Sequence, residues 1–359
     1  MILVGAMAAA IWIAGVVMGV PRQARLMMVG LLLTGVLALH VVLPDGHPLR
    51  EATGREPGFW LLLVAAVAVA WGYSQVLGRV RAEAKRRQAP AAVPAASPGQ
   101  ARGPFSEAEL GRYARHITLR EIGGMGQRAL GDARVLVVGA GGLGSPALLY
   151  LGAAGVGTLG IIDGDAVEAS NLQRQVIHGE ADLGRPKAQS AADAVASLNP
   201  HVSVRTYSRR LTPEIAGELL GGYDLILDGS DTFETRSLVN REAVRAGKPL
   251  IAAALTQWEG QISLYDPARG GPCYACLFPE APAPGLAPSC AEAGVAGPLP
   301  GIMGAMMALE AVKHLAGAGE TLRGRMFLFD GLHAEARVVT LEARPGCPVC
   351  GGRGGPRRT

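Results

Sequence analysis

The chain has 359 residues, room for two or three domains, and a net charge of +4 so unevenly placed that the average says little. Its five cysteines all lie at or beyond Cys273, four of them in two CxxC pairs, which argues against a secreted disulfide framework and for a metal in a reduced compartment. A mean hydropathy of +0.24 is high for a soluble enzyme and asks for a membrane segment, while 50 glycines and 5% aromatics suit tight α/β turns.

Residues 1–88 read as a membrane anchor. Three apolar stretches, about 1–20, 26–43 and 59–78, each approach the length that spans a hydrocarbon core of about 30 Å. None contains Asp, Glu, Lys or Arg, and His40 is their only side chain that titrates near neutral pH, expected at the interface. The separator Pro21 to Arg25 is purely basic, and Arg79, Arg81, Lys85, Arg86 and Arg87 follow the third stretch. The positive-inside rule then predicts a multi-pass protein of the inner (cytoplasmic) membrane, with the N-terminus outside and everything after Arg79 in the cytoplasm. Residues 89–104, rich in Pro and Ala, form a linker. Residues 105–353 form a soluble domain, and 354–359 a basic tail.

The soluble domain opens with a capping box, Ser106 to Glu109, ahead of a helix carrying Arg112, Arg115 and His116. Gly123, Gly124 and Gly126 predict a turn. Next comes the stretch around which the domain is organised, Arg134 to Asp165. An apolar strand, Val135 to Val138, runs into Gly139, Gly141 and Gly144 in GxGxxG spacing. A helix and a second strand, Leu159 to Ile162, follow and end at Asp163. Such glycines let backbone approach a phosphate at a helix N-terminus, and Asp163 is placed to bond a ribose hydroxyl. The motif says nucleotide and leaves NAD and ATP open.

Further strands are predicted at Val202 to Thr206, Tyr223 to Leu227 and Pro249 to Ala254. Helices alternate with them, so that Asp228 and Asp231 fall at the carboxyl edge of the sheet. Gln261 to Tyr265, Met326 to Phe329 and Arg337 to Leu341 predict added antiparallel strands around an apolar helix, Gly301 to Leu315. The fold class is therefore α/β, a Rossmann-like, doubly wound, mainly parallel sheet with antiparallel additions. Cys273, Cys276, Cys347 and Cys350 supply the four thiolates that a closed, structural zinc site favours. Cys290, the odd thiol, reads equally as a bystander or a nucleophile.

RYARHITL, GAGGLGS, DGD, SNLQRQ, GRPK, the GSD after the fourth strand, EGQ, CYAC, SCAEAGV and PGCPVCG together resemble the MoeB/ThiF/HesA family, relatives of ubiquitin-activating enzymes, over about Phe105 to Gly352. The resemblance implies ATP-dependent adenylation of the C-terminal glycine of a ubiquitin-like sulfur carrier ending in Gly-Gly, of the molybdopterin or thiamine type. It implies nucleotide binding by Gly139, Gly141, Gly142, Gly144, Asp163, Asp165, Ser170, Asn171, Arg174, Lys187, Asp231 and Thr232, with Mg²⁺ held through Asp231. It places Arg115 in a neighbouring subunit's site, hence a homodimer, and matches Cys290 to a cysteine that in some members links covalently to the carrier. A separate protein would supply sulfur, and no nucleic acid is expected as a partner. The family commonly has Asp-Asn where this chain has Asp231-Thr232, which puts the nucleotide contact there in question. Competing readings are an NAD-linked oxidoreductase, which leaves SNLQRQ, GRPK and the CxxC pairs without a role, and a non-catalytic nucleotide-binding scaffold. A tRNA-modifying dehydratase would need a basic patch, whereas the domain's cations are scattered.

Overall fold

The structure is a computed structural model and describes residues 2–44, 46–54, 58, 72–73, 103–281 and 294–351. The chain divides into two compact units, 1–89 and 90–359.

In the first unit, helix α1 (Ile2–Val17) is 16 residues long, so at 1.5 Å per residue it reaches only about 24 Å, short of the predicted 1–20 span. Pro21 caps α2 (Arg22–Val42), which absorbs Arg22 and Arg25 into its first turn; the basic separator is helix, because a proline N-cap leaves the next residues free to wind. Among the described residues, this second stretch is the one long and apolar enough to cross a membrane. His40 is buried: a short helix, α3 (Pro48–Thr53), folds back so that its Thr53 hydroxyl lies 3.1 Å from His40 Nε2. The stretch at 59–78 lies almost wholly outside the described residues, as do residues 89–102 of the linker and the 354–359 tail.

The second unit is built on one eight-stranded sheet, ordered β3-β2-β1-β4-β5-β6-β7-β8. Strands β1 (Arg134–Val138), β2 (Thr158–Ile162), β3 (Ser203–Tyr207), β4 (Leu225–Asp228) and β5 (Leu250–Leu255) are parallel. Strands β6 (Glu259–Tyr265), β7 (Arg325–Asp330) and β8 (Glu335–Thr340) continue antiparallel. Val135 to Val138 and Leu225 to Leu227 are buried, as expected of strands with helices on both faces. One face carries α6 (Gly144–Ala154), α7 (Lys187–Leu198) and α11 (Pro298–Ala316); the other carries α8 (Pro213–Gly221), α9 (Phe233–Arg245) and the short α10 (Tyr274–Leu277).

Helix α4 (Glu107–Ile117) begins at the expected reciprocal capping box of Ser106 and Glu109. The glycine-rich segment after it departs from expectation: α5 (Gly123–Asp132) is a helix where the glycines predicted a turn. Packing outweighs propensity there. A Cβ on Gly126 would stand 3.2 Å from Ala316 Cβ, so glycine allows close approach to α11. The neighbouring Gln127 is fully buried, its amide donating to the Ala154 carbonyl and its Oε1 within reach of His116 Nδ1.

Candidate active site

Strand order reverses on either side of β1, so the chain ends of β1, β2 and β4 open a crevice at the carboxyl edge. Gly139 takes φ +91° there, the left-handed region, with its α-carbon face against the Gly229 carbonyl. Gly144 starts α6, and a Cβ on it would fall 1.9 Å from the Gly139 carbonyl oxygen, so a side chain would force the turn open. A Cβ on Gly142 would meet Pro300 of α11 at 3.0 Å and Arg174 Cγ at 3.8 Å, whereas Gly141 stands at ordinary distance from Gln175. Among the described residues, the amides of Gly141, Gly142 and Leu143 have no hydrogen-bond partner. They lead into the N-terminus of α6, the usual construction of an anion site.

Asp163, at the tip of β2, accepts the Ala140 amide on Oδ2 at 2.8 Å and the Asp165 amide on Oδ1 at 2.8 Å. Burial pushes its carboxyl up, against the two amides and nearby Lys187, which pull it down. Lys187 is the first residue of α7 and is buried; its ammonium lies 3.3 Å from Asp165 Oδ2. Asp165 therefore partners the lysine, and its own carbonyl accepts the Lys187 amide. A surface cation is ruled out for Lys187. Burying an ammonium with a single carboxylate is costly, and the arrangement makes sense where an anion is to arrive.

The SNLQRQ segment forms a short 3₁₀ turn, Ala169–Asn171. Buried Asn171 accepts on Oδ1 from Arg174 Nη2 at 2.9 Å and Gln175 Nε2 at 3.3 Å, and donates to Glu168 at 3.4 Å. Arg174 Nη1 also donates to the Ser170 carbonyl at 3.1 Å. Two of its five donors thus hold the guanidinium in place.

At the tip of β4, buried Asp228 accepts from the Ser230 amide and hydroxyl at 2.9 and 2.6 Å, and Arg236 of α9 donates to the Ser230 carbonyl. These bonds shape the loop that presents exposed Asp231. Thr232 is the N-cap of α9: its hydroxyl accepts the Thr235 amide at 3.3 Å and donates to the Thr235 hydroxyl at 2.8 Å. Threonine here performs a task that asparagine performs equally well, which accounts for the exchange on structural grounds.

Arg115 does not join this group within its own chain. Helix α4 is pinned through Tyr113, whose hydroxyl accepts from Asn199 at the end of α7 and whose ring covers Gly155 at the end of α6. Those helix ends return to the opposite edge of the sheet, and Arg115 is exposed there. Cys290 lies outside the described residues. His178 is a buried neighbour of the glycine turn that motif reading passes over, being a single histidine in an ordinary loop.

The four paired cysteines converge. Sγ atoms of Cys273 and Cys276 are 3.8 Å apart, Cys273 and Cys347 3.8 Å, and Cys276 and Cys350 3.5 Å, with all four within 4.8 Å. A tetrahedron with Zn–S bonds of about 2.3 Å has edges of about 3.8 Å, so the spacing fits zinc. Burial and the neighbouring thiols push Cys273 up. At Cys347 burial also opposes ionisation, but the Cys350 and Val349 amides together with hydrogen bonds from the Cys276 and Cys273 thiols more than offset it and bring that thiol down to about 7.

The model described as the ThiF family matches residues 113–349. The chain belongs to that family. It is 50% identical over 251 residues to a sulfur carrier protein adenylyltransferase of Thermus thermophilus, covering 69% of this chain and 93% of that protein. It is also 50% identical over 247 residues to the probable adenylyltransferase/sulfurtransferase MoeZ of Mycobacterium tuberculosis, covering 68% of this chain and 63% of that longer protein. Among solved structures, E. coli MccB crystallised with AMPCPP and MccA matches with a TM-score of 0.60 at 24% identity, over 68% of this chain and 74% of that one, a likeness of fold.

Proposed function

We propose that this chain is an ATP-dependent adenylyltransferase that activates the C-terminal glycine of a ubiquitin-like sulfur carrier. The observation that carries the reading is the half-identity, over almost its whole length, to the Thermus enzyme named for that activity. The site's chemistry agrees with it. A terminal carboxylate is ionised at neutral pH and needs no general base; it needs an in-line approach to the α-phosphate and cancellation of charge as pyrophosphate leaves. Family membership favours this over an NAD-linked oxidoreductase, and gives Lys187, Arg174 and the cysteines a role that reading lacks.

The roles follow from position. The open amides of Gly141 and Gly142 receive phosphate oxygens. Asp163 keeps lone pairs beyond its two amide bonds and takes the ribose. Lys187 and Arg174 neutralise the departing pyrophosphate, and Asp231 holds Mg²⁺. Arg115, at the far edge of its own sheet, reaches a second copy's site, so the working form is a homodimer. A cavity of about 310 Å³ between β5, β6, β7 and β8, lined by Leu255, Gln261, Phe329 and Arg337, receives the carrier beside the carboxyl edge of the sheet. Cys290 is available for a covalent link to the carrier, a separate protein supplies the sulfur, and the cysteine cluster holds a structural zinc that staples the C-terminal segment. Residues 1–88 anchor the enzyme by several passes in the cytoplasmic membrane, the catalytic unit facing the cytoplasm and joined through 89–104.

The test is ATP–pyrophosphate exchange by the detergent-solubilised chain with carriers ending in Gly-Gly. Carrier-dependent exchange is expected; its absence with every cellular carrier would sink the reading. Reporter fusions at both ends test the topology, and a C-terminal reporter active only outside the cytoplasm overturns it.

A further inference from the structure

We infer that His178 is a positioning residue for the nucleotide: with Ser190 it sets the peptide between Ala140 and Gly141 so that the Gly141 amide faces the phosphates. The inference rests on the reading that this edge binds ATP.

The geometry is specific. His178 Nε2 stands 3.0 Å from the Ala140 carbonyl oxygen and Nδ1 stands 2.8 Å from the Ser190 hydroxyl. A carbonyl only accepts, so Nε2 carries the proton; the neutral ring then accepts the Ser190 hydroxyl on Nδ1. Ala140 is thus held at both ends, its amide by Asp163 and its carbonyl by His178 at 3.0 Å, with the Ser145 hydroxyl a weaker donor at 3.5 Å. A trans peptide is planar, with its C=O and N–H pointing opposite ways. Drawing the Ala140 carbonyl inward toward His178 therefore turns the Gly141 N–H outward, and among the described residues that amide has no protein partner. Glycine at 139 and 141 makes the turn easy to rotate, so something else must stop it rotating. His178 is only 6% exposed and Ser190 2%, which keeps water from competing for either bond. Ser190 belongs to α7, the helix that begins with Lys187, so one helix places both the ammonium and the histidine.

The experiment titrates ATP into the full chain in detergent, independent of any carrier. His178→Phe keeps the volume and removes the donor; its ATP Kd is expected to rise on the order of tenfold, as one hydrogen bond to a charged group is lost. His178→Gln, whose Nε2–H reaches a similar place, is expected to stay within about threefold of the unaltered chain. Ser190→Ala leaves the ring in place without its second tether and is expected to raise Kd about threefold at unchanged Tm. ¹⁵N spectra of the labelled chain should show the Nε2–H tautomer at 178, and a mixture in Ser190→Ala. Phe and Gln variants that bind ATP alike, or an unchanged Kd in Ser190→Ala, overturn the inference while leaving the proposed function intact. No ATP binding by the unaltered chain overturns both.

Discussion

The nucleotide edge and the cysteine cluster of the same unit are built on opposite plans. The cluster takes two tight pairs, Cys273 with Cys276 and Cys347 with Cys350, and closes them over one point. Each thiol has the same task, and the task is holding. The edge draws single residues from five places, at 139–144, 163, 170–175, 187 and 228–232, and each has a different partner. Removing one thiol should therefore cost stability, whereas removing one edge residue should cost function and little stability.

Metal removal is the strongest way to break that contrast. Cys347→Ser, or a strong chelator, should lower Tm by roughly 10 °C or more, since metal binding there is folding energy for the C-terminal segment. Metal analysis of the purified chain is expected to find zinc, and a chelator-treated chain with unchanged Tm would show the cluster to be idle. Next in size, Lys187→Met should slow ATP–pyrophosphate exchange by about 100-fold, the scale for losing one charge-stabilising group. Its Tm should hold or rise, because a buried charge with one partner is exchanged for an apolar side chain. Arg174→Ala should lower the exchange rate by more than it weakens ATP binding; equal losses would make it a ground-state ligand only.

A smaller effect sharpens the reading of Thr232. Thr232→Ala should destabilise by about 1 kcal/mol through loss of the cap, with Thr232→Asn restoring it, measured by urea unfolding. Exchange rates in the Asn variant should match the unaltered chain, which separates capping from nucleotide contact.

The smallest effect is a pH dependence. Burial lowers the folded His178 imidazole below its ordinary 6.5, with Lys187 pushing the same way and the Ala140 carbonyl, Asp182 and Asp163 opposing. As pH falls below 6.5 the unfolded chain takes up a proton that the folded one does not, so stability declines until the folded ring also titrates. The urea midpoint measured from pH 8 to 5 should fall less steeply in His178→Gln; parallel curves would remove the histidine from the balance.

Much of this was legible in the residues alone. Apolar runs between helical periods marked the eight strands and their parallel-then-antiparallel order; at β1, β2, β4 and β5 burial on both faces leaves little other composition, whereas β8 is exposed throughout. The CxxC pairs and the GxGxxG turn could be read directly, since their chemistry is carried by local spacing. What local spacing does not carry, only the tertiary structure decided. Gly123–Asp132 became a helix because α11 needed a smooth surface beside Gly126. His40 gained a buried partner because α3 brought Thr53 to it. Asp165 proved to be the partner of Lys187, and His178, 38 residues from Ala140 in the chain, became its clamp. Hydrogen-bond partners far apart in sequence leave no periodicity to read; the tertiary fold brings these within 3.3 Å, and only there do they acquire a role.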